Sequence, residues 1–308
     1  MASIPERLSI VSGALTALFF VFIPFELRAR HKRGTLTRDS VREMFASASP
    51  LIPTLLLGAV TVSFVTGLFL AASRLAITRV PTTALTTVTC LLLCDLLYYV
   101  DHRAGHRLRV YWAVSHSVHH SSPQYDQSTA LRVSFVDGFL SPWFQVPAVL
   151  VGFDPLLVAG CFGVVIAYQQ WIHTETIGSL GWLDRVFMTP SNHRVHHSSQ
   201  PEHLDKNYGG ILVIWDRMFG TYARETGAVT YGLTRPIESI NPIEVHVAEL
   251  RRLVADLRRP ATLLDKCKLL FLGPEFVPQS WTDAHARRAL TKAASESDAT
   301  SEAAARTT

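Results

Sequence analysis

Apolar residues run in long, nearly unbroken stretches along the first third of the chain, from Leu8 to Leu27, from Leu51 to Ala72 and from Val80 to Val100. Each approaches the roughly 20 residues that a helix needs to cross a bilayer core, so the pattern predicts three membrane helices. A fourth apolar stretch, residues 139–172, is too long for one crossing and too short for two with a turn, and Phe153-Asp154-Pro155 breaks it in the middle. Proline removes a backbone donor and restricts the residue before it, which predicts a re-entrant helical hairpin that returns to the face it left. Beyond Asn241 the pattern changes to a helical period, with Val245, Val247, Leu250, Leu253, Val254 and Leu257 largely on one face and Arg251, Arg252, Arg258 and Arg259 elsewhere. Such a helix either sits solvated on a cytosolic cap or lies in the lipid interface. The expected fold is all-α: an integral-membrane helical bundle carrying a cytosolic helical cap.

Composition agrees with a membrane class. Of 308 residues 48% are hydrophobic and only 18% charged, and the mean hydropathy is +0.20. The net charge of +4 matters less than its distribution. Arg28, Arg30, Lys32, Arg33, Arg38 and Arg42 follow the first span, against Arg7 before it and Arg74 and Arg79 after the second. The positive-inside rule puts residues 28–50 in the cytoplasm, and between two spans that basic run is better suited to anionic lipid than to nucleic acid. The first span has charge on its C-terminal side and no small-residue cleavage site, which makes it an anchor rather than a removable signal. Cys90, Cys94 and Cys161 lie in apolar segments and Cys267 stands alone, so neither a disulfide framework nor a CxxC pair is present.

The chemistry is carried by histidine. His102 and His106 form an HxxxH box, His116, His119 and His120 an HxxHH box, and His193, His196 and His197 a second HxxHH box. On a helix residues three and four apart are neighbours, so these spacings are expected to present two and then three imidazoles along one face. Neutral imidazole binds iron, zinc and copper. Eight imidazoles exceed one four-ligand site, so two metals are expected, and the returning hairpin brings His173 to the same face as a ninth ligand. His203 reads as a neighbour or a surface residue, and His31, His246 and His285 as surface residues. Because a ligating histidine donates its other ring nitrogen to a carboxylate, carbonyl or water, Asp95, Asp101, Glu175, Asp205 and Asn207 are candidates to orient the ligands.

The series HxxxH, HxxHH, a lone histidine after an apolar hairpin, and a final HxxHH leading into "DKNYGGILVIWDRMFGTY" resembles the fatty acid hydroxylase and sterol desaturase superfamily of membrane di-iron oxygenases. The resemblance covers residues 84–225. Within it, "HHSSPQYDQSTALR" and "WIHTETIGSLGWLDRVFMTPSNHRVHH" are most similar to the ether-lipid-cleaving branch. The resemblance implies two iron ions held by His102, His106, His116, His119, His120, His173, His193, His196 and His197. It further implies dioxygen as co-substrate, a membrane lipid as substrate, with Tyr125 and Arg132 as headgroup contacts, and an external redox donor, cytosolic or in the membrane. That branch uses tetrahydrobiopterin as its donor. Hydroxylation, with ether cleavage as one version, stands beside sterol or carotenoid hydroxylation and acyl-lipid desaturation. A metal transporter, which would set its ligands at the bilayer midplane, is the remote alternative. The chain then divides into N-terminal spans and a basic loop (1–83), a catalytic domain (84–225), C-terminal cytosolic or interfacial helices (226–290) and a disordered tail (291–308). The expected protein is multi-pass, with its histidines facing the cytoplasm.

Overall fold

The computed structural model describes residues 3–283, and the tail at 291–308 and His285 lie outside the described residues. The described residues are helical, and they contain no strand, only the isolated bridges Phe187–Leu212 and Ser198–Tyr231. Helix α1 (Ile4–Lys32) starts on a capping box in which Ser3 and Glu6 satisfy each other's backbone N–H, and it ends on Arg30, His31 and Lys32, which suit the negative end of the helix dipole. The amphipathic α2 (Arg38–Ala48) follows, then α3 (Leu51–Leu56) and α4 (Gly58–Ser73). The second apolar stretch is therefore not one straight span. It breaks at Leu57, where the path bends by 64° between Arg38–Leu56 and Gly58–Ser73.

Helix α5 (Ala84–Arg107), capped by Thr83 and Thr86, carries the first histidine box in its last turns. After α6 (Arg109–Tyr111), the second box straddles a π-helical turn at Trp112–His116 and α7 (Ser117–His120). Helices α8 (Asp137–Val151) and α9 (Pro155–Trp171) are the hairpin. Its turn is set by Gly152 at φ +117° and by Asp154, whose carboxylate accepts from Leu156 N at 2.9 Å and Leu157 N at 3.1 Å. The tip bonds the segment before α5, Ile77 N to Leu150 O at 2.8 Å and Val80 N to Gly152 O at 2.9 Å. The hairpin thus reaches as deep as the far ends of α4 and α5, and α9, 17 residues long, spans about 26 Å at ~1.5 Å per residue. Cys90, Cys94, Ala148, Leu157, Val158 and Cys161 fill the core between α5, α8 and α9, and all four cysteines are free.

Helix α1 runs alongside α9. Gly160 and Gly163 allow the close approach: a Cβ on Gly160 would lie 3.1 Å from Leu8, and Ser12 Oγ bonds Gly163 O at 3.1 Å. At its other end, buried Glu26 accepts from Thr174 Oγ1 at 2.5 Å and Gln127 N at 2.8 Å, and Arg30 pairs with Asp126. Two helices, α1 and α5, are long and apolar enough to cross a membrane, and the bent α2–α4 unit would make a third. By length and composition these are the helices of a membrane protein. Helix α10 (Pro190–His196) and α11 (Ile214–Met218) close the histidine end. There α12 (Pro242–Arg258) packs on the π-turn and α7, and on α13 (Leu263–Phe271). Val245, Ala248 and Leu253 are the buried face of α12 and Leu250 is exposed, so α12 caps the histidine segment and its apolar face is spent on protein.

Candidate metal centre

The nine histidines meet in one place, in two groups. His102, His106, His116, His120 and His196 form the first and His119, His173, His193 and His197 the second, with the ligand atoms of each group within 4.8 Å of one another. Neither HxxHH box keeps its three imidazoles on one face, contrary to expectation. At 3.6 residues per turn adjacent side chains diverge by about 100°, so the i,i+4 pairs His116/His120 and His193/His197 each stay together. His119 joins the group of the second pair and His196 the group of the first. The exchange binds the two groups into one centre. Gly105 makes room for it, since a Cβ there would lie 3.2 Å from His116 Cγ.

The orienting partners are main-chain carbonyls. Nδ1 faces a carbonyl oxygen at His102 (Tyr208 O, 2.9 Å), His119 (Arg132 O, 3.3 Å), His173 (Gln169 O, 2.8 Å) and His196 (Lys206 O, 3.0 Å). A carbonyl only accepts, so these Nδ1 atoms carry the proton and leave Nε2 with a bare lone pair. All five Nε2 atoms of the first group are buried without a partner. In the second, His173 Nε2 lies 3.2 Å from His119 Nε2 and 3.0 Å from His193 Nε2, and His197 Nε2 lies 3.2 Å from His193 Nε2. Since His119 and His173 cannot donate from Nε2, lone pairs face one another there. Each unpartnered buried acceptor costs about 1–3 kcal/mol, and converging lone pairs need a cation between them. The donor set therefore fits a metal site, consistent with iron.

Burial also keeps the imidazoles neutral. It lowers His119 to about 4 and holds His116, His120, His173, His193, His196 and His197 well below the usual imidazole value, with neighbouring histidines adding to the effect. Neutral imidazole is the ligating form.

The expected orienting carboxylates do other work. Asp95 touches no histidine but accepts from Ile211 N (2.6 Å), Leu212 N (3.1 Å) and Trp215 Nε1 (2.8 Å), anchoring the loop that supplies the Tyr208 carbonyl. Asp101 takes the Tyr111 hydroxyl, Glu175 the Tyr231 hydroxyl, and Asp205 the Tyr208 hydroxyl and Arg107. Asn207, at φ +58°, donates to Asn192 O at 2.9 Å and Ala223 O at 2.8 Å, fixing the start of α10 from outside the histidine groups. His203 is buried but bonds Ser198 Oγ, apart from both groups.

Tyr125 and Arg132 are not placed for a headgroup. Tyr125 is sealed behind the ligands, its hydroxyl on Ile172 O at 3.1 Å and its ring 5.1 Å from that of His197 and 4.8 Å from that of Tyr231. Arg132, 2% exposed, donates to Ser121 Oγ, Val118 O and Glu43 Oε1, locking α2 against the second box. Their side chains fill the protein, where a buried guanidinium requires its carboxylate.

A cavity of about 440 Å³ runs from His102, His116, His119, His173 and His193 to the break between α3 and α4, where Leu51, Thr54, Gly58 and Val62 line it. Asp101, Asp137, Ser141 and Gln169 line it as well, and three of them are tied to the histidine segments: Asp101 precedes His102, Asp137 receives the Ser115 hydroxyl beside His116, and Gln169 O holds His173. No local pattern announces this cavity, because its walls come from segments as far apart in the chain as α3, α4, α5, the second histidine box, the 130–135 loop, α8, α9 and α10.

Residues 87–221 match the fatty acid hydroxylase family model. The chain is 40% identical over 184 residues to alkylglycerol monooxygenase from Homo sapiens and 42% identical over 184 residues to that from Danio rerio, in each case over 60% of this chain and 41% of the relative. It is 34% identical over 141 residues to an ornithine lipid hydroxylase from Rhizobium tropici, over 45% of this chain and 42% of the relative. The matches thus span less than half the length of these curated relatives. No solved structure matches.

Proposed function

We propose, from the match of residues 87–221 to the fatty acid hydroxylase family model, that this chain is a membrane di-iron monooxygenase. Its proposed reaction hydroxylates a lipid at a carbon beside the polar headgroup, with alkyl ether cleavage as the favoured outcome. The observation that carries the reading is the meeting of nine imidazoles, in a five and a four, at the end of a cavity whose far wall is apolar. The relatives act on ether lipids and ornithine lipids by name, and both pair a polar headgroup with a hydrocarbon chain.

His102, His106, His116, His120 and His196 would hold one iron and His119, His173, His193 and His197 the other. The ions, when bound, supply dioxygen activation and the removal of hydrogen from an unactivated C–H bond. The protein supplies geometry. The carbonyls of Tyr208, Lys206, Gln169 and Arg132 keep each Nδ1–H outward and each Nε2 inward. The apolar stretch from Leu51 to Val62 holds the hydrocarbon chain, and the polar end keeps the headgroup beside the histidines, so the nearest C–H bonds are those adjoining the headgroup. Hydroxylation consumes one dioxygen, two electrons and two protons and releases water. At a carbon bonded to an ether oxygen the product is a hemiacetal, which collapses to an aldehyde and a free alcohol. An external donor, with tetrahydrobiopterin as the candidate, supplies the electrons from the cytoplasm, which the basic loop at 28–50 assigns to the histidine end.

The test is to incubate membranes holding the protein with labelled dioxygen and alkylglycerol, ornithine lipid, sterol and acyl lipids, against a His106→Ala background. Label in the headgroup-proximal carbon of an ether or ornithine lipid supports the reading. A new double bond without incorporated label replaces it with desaturation.

A further inference from the structure

Building on the oxygenase reading, we infer that the cavity end beside the histidines is a headgroup site for lipids that bring hydrogen-bond donors, hydroxyl or ammonium, with Asp137 as its specificity-determining residue. Asp101, on α5, and Asp137, at the start of α8, line the cavity from facing elements. Tyr111 bridges them in part: its hydroxyl donates to Asp101 Oδ1 at 2.6 Å and lies 3.2 Å from Ser141 Oγ, one turn along α8 from Asp137. Asp137 receives the Ser115 hydroxyl. Ser141 also reaches Asp101 and the Ser134 backbone reaches Asp137, and since a carboxylate has about four acceptor sites, each keeps capacity to spare. Neither aspartate has an ion pair among the described residues, and the cavity lining contains no lysine or arginine.

A second observation points the same way from another helix. Gln169 is 7% exposed, and its Nε2 donates to Gly210 O, which fixes the orientation of the amide. Gln169 lines the cavity and its Oε1 is buried with no partner, as is the Oε1 of Gln170, which lines the cavity too. A buried acceptor left unpartnered is costly. The polar end therefore offers two carboxylates and two amide oxygens with no cation among them. A glycerol or amino headgroup supplies the donors these groups lack, whereas a phosphate, itself an acceptor, would meet only acceptors. Asp101 is not reserved for its neighbour His102, whose Nδ1 is already held by Tyr208 O.

The experiment measures binding by the full chain in phosphatidylcholine nanodiscs, using hexadecyl glyceryl ether, hexadecylammonium and the phosphate ester of hexadecyl glyceryl ether as probes. The first two are expected to bind at least about tenfold tighter than the phosphate ester, and Asp137→Asn to weaken them about tenfold to a hundredfold. Asp137→Arg is expected to reverse the order. The relative affinity of hexadecylammonium and the glyceryl ether separates the two donor sources. If either variant fails to fold, the wild-type order of the three probes still decides. Equal affinity for the phosphate ester and the glyceryl ether in the wild type, or an unchanged order in folded Asp137→Arg, overturns the inference. Retained preference with no oxygen incorporated into any lipid rejects the oxygenase reading and leaves the headgroup site standing. Oxygen incorporation without preference does the reverse.

Discussion

A histidine whose Nδ1 donates to a main-chain carbonyl can offer only its Nε2 lone pair, and four of the nine histidines are fixed in this way by Tyr208, Arg132, Gln169 and Lys206. The i,i+4 pairs then sort the ligands into a five and a four. The sorting predicts that the proposed ions can be lost separately. Anaerobically purified protein should hold two irons per chain, one for each histidine group. His106→Ala should lose the ion of the first group and His193→Ala that of the second, each falling toward one, by elemental analysis. Each ligand lost also strips its group of a neutral donor that burial keeps ready. Simultaneous loss of both ions in both variants would show that the groups do not act as separate sites, and a single tightly bound zinc in the wild type would reject the di-iron assignment.

At the scale of elements, the loop from Asp205 to Leu212 does most to hold the ligands, because the carbonyls of Lys206 and Tyr208 both belong to it. Asp95, buried in α5, fixes that loop by accepting three donors. Gly210 sits between Asp95 and the core: a Cβ there would lie 2.8 Å from Val165 Cγ1 and 2.9 Å from Tyr98 Cδ1 and would strike the Asp95 carboxylate. Gly210→Ala is therefore expected to cost about 1–3 kcal/mol, read as a lowered thermal midpoint in detergent, and to weaken metal retention in the first group through the Tyr208 carbonyl. An unchanged midpoint would mean that the loop relaxes freely. The π-turn at Trp112–His116 is a second such element. It carries His116 to the face of His120 where the chain turns back from α5, and π-turns concentrate at functional sites.

Over the whole molecule the structure has two ends. The start of α1, the segment from Ser73 to Thr83 and the hairpin tip lie at one, and the 28–50 loop, all nine histidines and α12 at the other. The proposed orientation of the ends rests on the basic run after α1, which favours the cytoplasm. Single cysteines in a Cys267→Ala background test this, because Cys267 is the exposed native thiol among the described residues. Positions 35, 202 and 154, occupied by Thr35, Glu202 and Asp154, are exposed. Thr35→Cys and Glu202→Cys should label from the cytoplasmic side with an impermeant maleimide, and Asp154→Cys from the other. Labelling of Thr35→Cys and Glu202→Cys from opposite sides would separate the basic loop from the histidines and remove the proposed access of a cytosolic donor.

Reading the residues alone was enough to reach the all-helical membrane class, the break at Phe153-Asp154-Pro155, the two metal groups as a count and the nine histidines that converge. Each of these follows from a local rule: apolar length, proline geometry, or the three- and four-residue neighbour relation on a helix. Tertiary structure decided how the imidazoles divide, because adjacent residues on a helix point about 100° apart and only the opposing box determines which group receives the odd one. It also decided what orients them. Carboxylates are visible in a sequence and main-chain carbonyls are not, since every residue has one, so Asp95, Glu175, Asp205 and Asn207 were legible as polar residues while Tyr208 O and Lys206 O were not. The same reason explains Arg132 and Tyr125, whose polar tips are consumed by buried partners far away in sequence, Glu43 and Ile172. The cavity could come only from the fold, because an empty volume belongs to no single element and its walls are drawn from helices and loops between Leu51 and His193 whose approach no local pattern encodes.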